Sequence, residues 1–154
     1  FQVIEHTEDP AAFLEDIRHV MGPGAMAFIE APNLYDPLLS VWDIDEYIPF
    51  YYHRDHRFYF SEKSLKAVAE KAGFSNPRIV FTQDYNILNT LHWVMNRGPQ
   101  PTCHIGLGPA RLKGKNESIA NWLSIEMGVL NDRYVSKLAA AGATSNIVAI
   151  LTAA

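Results

Sequence analysis

Glu5-His6 sets a carboxylate beside an imidazole, directly after the apolar run Phe1–Ile4 and just before Asp9-Pro10, a helix-starting pair. If that run is a strand, both side chains stand at its carboxyl end, where open α/β sheets bind their ligands. There they could orient a substrate hydroxyl or take its proton. The alternative is a turn whose polar residues merely satisfy backbone groups. Pro32-Asn33 holds the equivalent place after a second apolar run, where Asn33 could hydrogen-bond a substrate or shape a turn.

A third group, His53-Arg54-Asp55-His56, packs two imidazoles and a carboxylate into four residues after Tyr51 and Tyr52. Histidines at i and i+3 of a helix could share a metal, and a metal-dependent enzyme built on His53, Asp55 and His56 is one reading. No third ligand stands at a recognised spacing and the lone Cys103 is distant, so the sequence assigns no metal ligand. Substrate binding or proton transfer suits this group better, and a surface loop is the bland alternative. Gly106-Leu107-Gly108 is followed by Pro109 and preceded by no convincing strand, so it lacks the setting of a dinucleotide loop.

These groups need a scaffold. Phe13, Leu14, Ile17, Val20 and Met21 recur at helical spacing after Pro10, and Gly22-Pro23-Gly24 stops the helix. Ala25–Ala31 reads as a strand buried on both faces, which makes the first 31 residues a βαβ unit. Residues 34–60 are rich in aromatics, too apolar for a linker, and read as a cap. Ser61 caps a helix ended by Gly73, and Arg78–Thr82 reads as a strand. Helical patterns over 86–96 and 117–141, joined by a Pro- and Gly-rich loop, form a helical insertion, and Asn146–Thr152 closes the chain as a strand.

Composition narrows the class. With 48% apolar and 19% charged residues, the chain is a single globular domain over 1–154 rather than a disordered segment. A net charge of -4 argues against nucleic acid as a partner. No apolar run approaches the roughly 18 residues of a membrane span, and no signal peptide is visible. One cysteine excludes an internal disulfide and fits a reducing cytoplasm. The chain opens without Met, inside what reads as a strand, the pattern of a fragment.

Val3-Ile4-Glu5-His6-Thr7-Glu8-Asp9-Pro10, then Phe13-Leu14, Gly22-Pro23-Gly24 and Phe28-Ile29-Glu30-Ala31-Pro32-Asn33 resemble a segment of class I methyltransferases. His56 to Ser61, Ser64-Leu65 and Lys71-Ala72-Gly73-Phe74 resemble the stretch that follows in that family. Beyond residue 85 the likeness is vaguer, to the insertion and last strand of methyltransferases acting on sugar-type substrates. The resemblance implies an α/β fold with a partial Rossmann-like sheet. Phe1–Ile4, Ala25–Ala31, Asn146–Thr152 and Arg78–Thr82 would be strands 4-5-7-6, the last strand antiparallel. It implies S-adenosylmethionine as cofactor and a small-molecule methyl acceptor. The glycine-rich loop and ribose-binding acid of the family are not in these residues, so weak cofactor binding is expected.

On the same resemblance Glu5 and His6 lie beside the transferred methyl, with His53 and His56 as further catalytic candidates from the cap. Phe1, Gln2 and His6 would border the cofactor, and Asn33, Tyr51 and Tyr52 the acceptor. A bare fourth strand would pair with a second copy, giving a homodimer through sheet edge or face. A non-enzymatic α/β assembly module is the rival reading.

Overall fold

The computed structural model describes residues 1–153; Ala154, the last residue of the expected domain span, lies outside them. Helix α1 (Pro10–Val20) starts where Asp9 accepts the N–H groups of Ala11 and Ala12, with Pro10 at a position that needs no donor. It leads to β1 (Met26–Pro32). Two single-turn helices, α2 (Pro37–Ser40) and α3 (Ile48–Tyr51), shape the cap. Helix α4 (Glu62–Lys71) opens on a reciprocal Ser61–Ser64 capping box. Strand β2 (Arg78–Thr82), α5 (Ile87–Asn96), α6 (Glu117–Ala141) and β3 (Asn146–Thr152) complete the chain.

The sheet has the order β1-β3-β2, and β3 runs antiparallel to both neighbours. Its register sets Pro32, Asn146 and Thr82 in one row, so the carboxyl ends of β1 and β2 meet the start of β3. As the central strand β3 is buried along most of its length. Ile147, Ala149 and Leu151, on one face by the two-residue period, pack with Leu14 of α1 and Leu65 and Ala69 of α4. Arg18 Nε donates to the Ala72 carbonyl at 2.9 Å and ties the two helices together. Helix α6 lies against β2 and α5. It ends at Gly142, whose φ of 69° favours glycine and where an added Cβ would meet the Phe81 ring at 3.3 Å.

Phe1–Ile4 does not form the expected strand, which corrects both the βαβ unit and the four-stranded sheet. One backbone bond, from Gln2 N to Glu30 O, joins this segment to the edge of β1. Gln2 has a φ of 54°, and Ile4–His6 tightens into a 3-10 turn that buries Ile4 and Glu5. The reason is partnership. Phe1 and Val3 are exposed, so extending the ladder would order the backbone without burying its apolar side chains.

Truncating Leu65, fully buried beneath α4, should lower stability by about 2–5 kcal/mol. Ile125→Ala on α6, where the side chain is 67% exposed, should change it by less than about 0.5 kcal/mol. Urea unfolding of both variants checks this, and equal losses would misplace the core.

Candidate functional site

The 3-10 turn at Ile4–His6 is fastened to the cap by backbone bonds. The Glu5 carbonyl accepts N–H groups from Arg57 at 2.8 Å and Phe58 at 3.2 Å. His6 Nδ1 lies 2.6 Å from the Asp55 carbonyl, which can only accept, so Nδ1 carries the proton. These three bonds bring residues far apart in sequence into one cluster.

Its centre is Glu5, fully buried, with neither carboxylate oxygen hydrogen-bonded. His6 Nε2 is 3.8 Å from Glu5 Oε1. The His56 ring stands 4.8 Å from that of His6 and 3.9 Å from that of His53, and its Nδ1 is buried without a partner. Burial pushes the Glu5 carboxyl above its ordinary value, offset in part by its own backbone and His6. Burial also pulls His56 down, and the neighbouring His53 and His6 imidazoles add to that. Both effects favour the neutral form of the His56 ring. Tyr59 completes the wall: its hydroxyl donates to the Tyr51 carbonyl at 2.6 Å, and burial raises its pKa.

His53 and His56 line a cleft of about 280 Å³ at the strand ends, with Gln2, Asp36, Tyr47, Phe50, Asp84 and Asn146 among its other walls. Tyr47 stacks on Phe50, and both meet Trp93 of α5 edge-on. The cleft thus joins flat aromatic surface to a ring of hydrogen-bonding groups.

Not every candidate belongs to it. Asn33 is fully buried, its Nδ2 donating to Gly142 O at 2.9 Å and its Oδ1 accepting from the N–H of Tyr35, so its amide is committed to the fold. Tyr51 lines the cleft, but its hydroxyl is spent on the Asn33 carbonyl at 2.6 Å. Tyr52 is 43% exposed and packs its ring against Tyr51 and Tyr59. The Phe1 ring is 80% exposed, and Gln2 Nε2 donates to Asn146 Oδ1 at 3.2 Å.

Two acids escaped the sequence reading. Asp84 accepts from Asn146 Nδ2 at 2.6 Å, and its place just past the end of β2 was the available signal. Asp36 caps α2 through Leu38 N, and Asp36-Pro37 repeats the Asp9-Pro10 pattern. Because it is buried, its carboxyl is pushed up to about 7, with the Leu38 N–H and Tyr47 opposing.

A family profile described as a methyltransferase domain matches residues 1–78. The chain belongs to this methyltransferase family. The matched span holds Glu5, His6, the whole cap and every segment on which the sequence resemblance rests. The crystal structure of a SAM dependent methyltransferase from Archaeoglobus fulgidus is similar at 16% identity, over 98% of this chain and 56% of that one, with a TM-score of 0.47. The chain thus spans little more than half the length of that protein. No curated protein matches the sequence.

Asp36 gives a signed pH test. Its folded-state pKa of about 7 exceeds the ordinary 3.8, so its contribution to stability is whole below 3.8 and is lost as pH rises to about 7. Asp36→Asn keeps an oxygen for the Leu38 N–H but cannot ionise. It should flatten that part of the stability profile and leave the variant the more stable protein at pH 8. Denaturant midpoints across the range check the sign, and a variant that is weaker at pH 8 contradicts it.

Proposed function

We propose that this chain forms the acceptor side of an S-adenosylmethionine-dependent methyltransferase whose acceptor is a small hydroxylated molecule of sugar type. The observation that carries the reading is the buried, unpartnered Glu5 carboxyl beside His6 and His56, within the family-matched span. A cleft of about 280 Å³ suits a monosaccharide-sized ligand. The exposed Phe50 ring can take the apolar face of a sugar ring, while Asp36, Asp84 and the histidines offer partners to its hydroxyls.

The described residues fit the cofactor only in part. Those that would border it are largely engaged: Gln2 with Asn146, and His6 Nδ1 with Asp55. Gly106 and Gly108 turn their carbonyls to Asn86, and an added Cβ at Gly106 would meet Tyr85 and Asn89 at 3.0 Å, so this glycine pair packs a loop. S-adenosylmethionine, when bound, supplies an activated methyl group. What this chain contributes is alignment and proton handling. His56, neutral and unprotonated at Nδ1 or Nε2, can take the proton of an acceptor hydroxyl, and Glu5 close by can favour the resulting imidazolium.

The free edge of β1 supports a second copy as partner. One backbone bond covers it, and Phe1, Val3, Met26 and Phe28 stand exposed along it. We therefore also propose a homodimer. Light scattering should give twice the 17.3 kDa chain mass, with little dependence on salt because the surface is apolar. A monomer at high concentration excludes it.

Methyl transfer is tested in two measurements. Titration of S-adenosylmethionine into the 154-residue chain should show binding weaker than about -8 kcal/mol, the low micromolar range. In the protein that carries the full methyltransferase domain, His56→Ala should lower kcat by roughly 10²–10⁴ for a hydroxyl acceptor while cofactor affinity stays unchanged. An unaltered kcat removes His56 from proton transfer.

A further inference from the structure

The space between Glu5, His6 and His56 gathers buried polar atoms that no hydrogen-bond partner satisfies. Both Glu5 oxygens are buried and unpartnered, and so is His56 Nδ1. His6 spends its Nδ1 proton on the Asp55 carbonyl. Its Nε2, 3.8 Å from Glu5 Oε1, is beyond hydrogen-bond reach of that carboxylate. A histidine fixed by a backbone carbonyl at one ring nitrogen, with the other aimed at a carboxylate and a second imidazole, is oriented as metal-ligating histidines are.

We propose that Glu5, His6 and His56 form a binding site for a divalent cation of the zinc class. One ligand atom from each lies within 4.8 Å of the others. Zinc–ligand distances of about 2.0–2.2 Å require ligands about 3.5 Å apart, so the widest pair must close by roughly an ångström. His6 is exposed but held by Asp55, so the closure falls mainly to the half-buried His56 ring, whose Nδ1 has no partner. Two imidazoles and one carboxylate are a known zinc donor set that leaves a fourth position open. Borderline nitrogen ligands favour zinc, cobalt or nickel over magnesium or calcium, which prefer all-oxygen shells. Chain spacing hid this set because only His56 comes from the histidine pair, while Glu5 and His6 arrive from the other end of the family-matched segment. His53 packs its ring at a tilt against His56 instead of joining the donors.

The site goes beyond methyl transfer and does not rest on it. A cation on Glu5 and His56 occupies the groups that would otherwise take and offset a proton, so the two uses of the cluster alternate. The chain, treated with chelator and returned to buffer, should take up a single equivalent of zinc in titration calorimetry. Cobalt in its place should give the intense visible bands of a four-coordinate site. Glu5→Gln, which preserves shape, and His56→Ala should each weaken binding by at least roughly tenfold. His104→Ala, at an exposed turn outside the cluster, should leave it unchanged. Circular dichroism reports folding, and if His56→Ala unfolds, the isosteric Glu5→Gln decides. Absence of saturable uptake, or uptake equal in the chain and in Glu5→Gln, overturns the site and leaves the methyl-transfer reading as it stands.

Discussion

Two N–H groups from consecutive residues, Arg57 and Phe58, converge on the carbonyl of Glu5, and one carbonyl, that of Asp55, holds the ring of His6. Each such bond contributes only about 1 kcal/mol to stability. Their weight lies in what they join. Residues 5–6 and 55–58 belong to separate excursions of the chain, and these bonds make one rigid piece of them. With that join in place, His56 reaches His6, His53 packs against His56, and the Tyr59 hydroxyl donates to the Tyr51 carbonyl.

The join holds because a second one stands behind it. Asn33, at the end of β1, takes its place among Gly142, Thr144 and Tyr35. Its backbone N–H donates to Ser145 and its carbonyl accepts from Tyr51. A single buried amide therefore ties the end of β1, the close of α6, the start of β3 and the cap to one point. Losing it would leave several buried groups unpaired at once, each costing about 1–3 kcal/mol. The aromatic cap is thus anchored from below at Asn33 and from the side at Glu5, which explains how a segment with only short helical turns keeps a defined cleft.

Local signals in the sequence were strong where chemistry is local. Asp9-Pro10, Ser61, Gly73 and Gly142 mark helix ends by capping, and those ends stand where the residues put them. Arg78–Thr82 and Asn146–Thr152 were legible because β-branched runs between turn residues have few other uses. Phe1–Ile4 has the same composition but lacks a neighbour, and strand formation depends on a partner that composition cannot display. The site shows the same divide. Glu5 and His6 were picked out by type and by an expected strand before them that is instead a 3-10 turn, and His53 and His56 by their clustering in the cap. The partnering of Asn33 and Tyr51 was not, since an Asn after Pro looks alike whether its amide meets water, ligand or backbone. Asp36 and Asp84 were hidden by ordinary capping and turn roles.

A fold that places Glu5 at zero exposure accepts a penalty it could have avoided. Ionised and unpaired, a buried carboxyl costs several kcal/mol, and protonated it still leaves hydrogen-bonding capacity unused. Glutamine or leucine would fill the same space at lower cost if packing were the sole demand. The surroundings do not relieve the penalty: no donor reaches either oxygen, and Arg57, whose backbone N–H meets the Glu5 carbonyl, turns its side chain outward to Glu8. His56 repeats the pattern with its buried and unpaired Nδ1. Two such defects, side by side and next to a third ionisable ring, are best understood as one feature. Buried polar groups are usually paired, and unpaired ones gather where a protein must receive a proton, an ion or a reacting atom. The stability forgone at Glu5 and His56 singles out this cluster, rather than the roomier surface grooves along α6, as the candidate site.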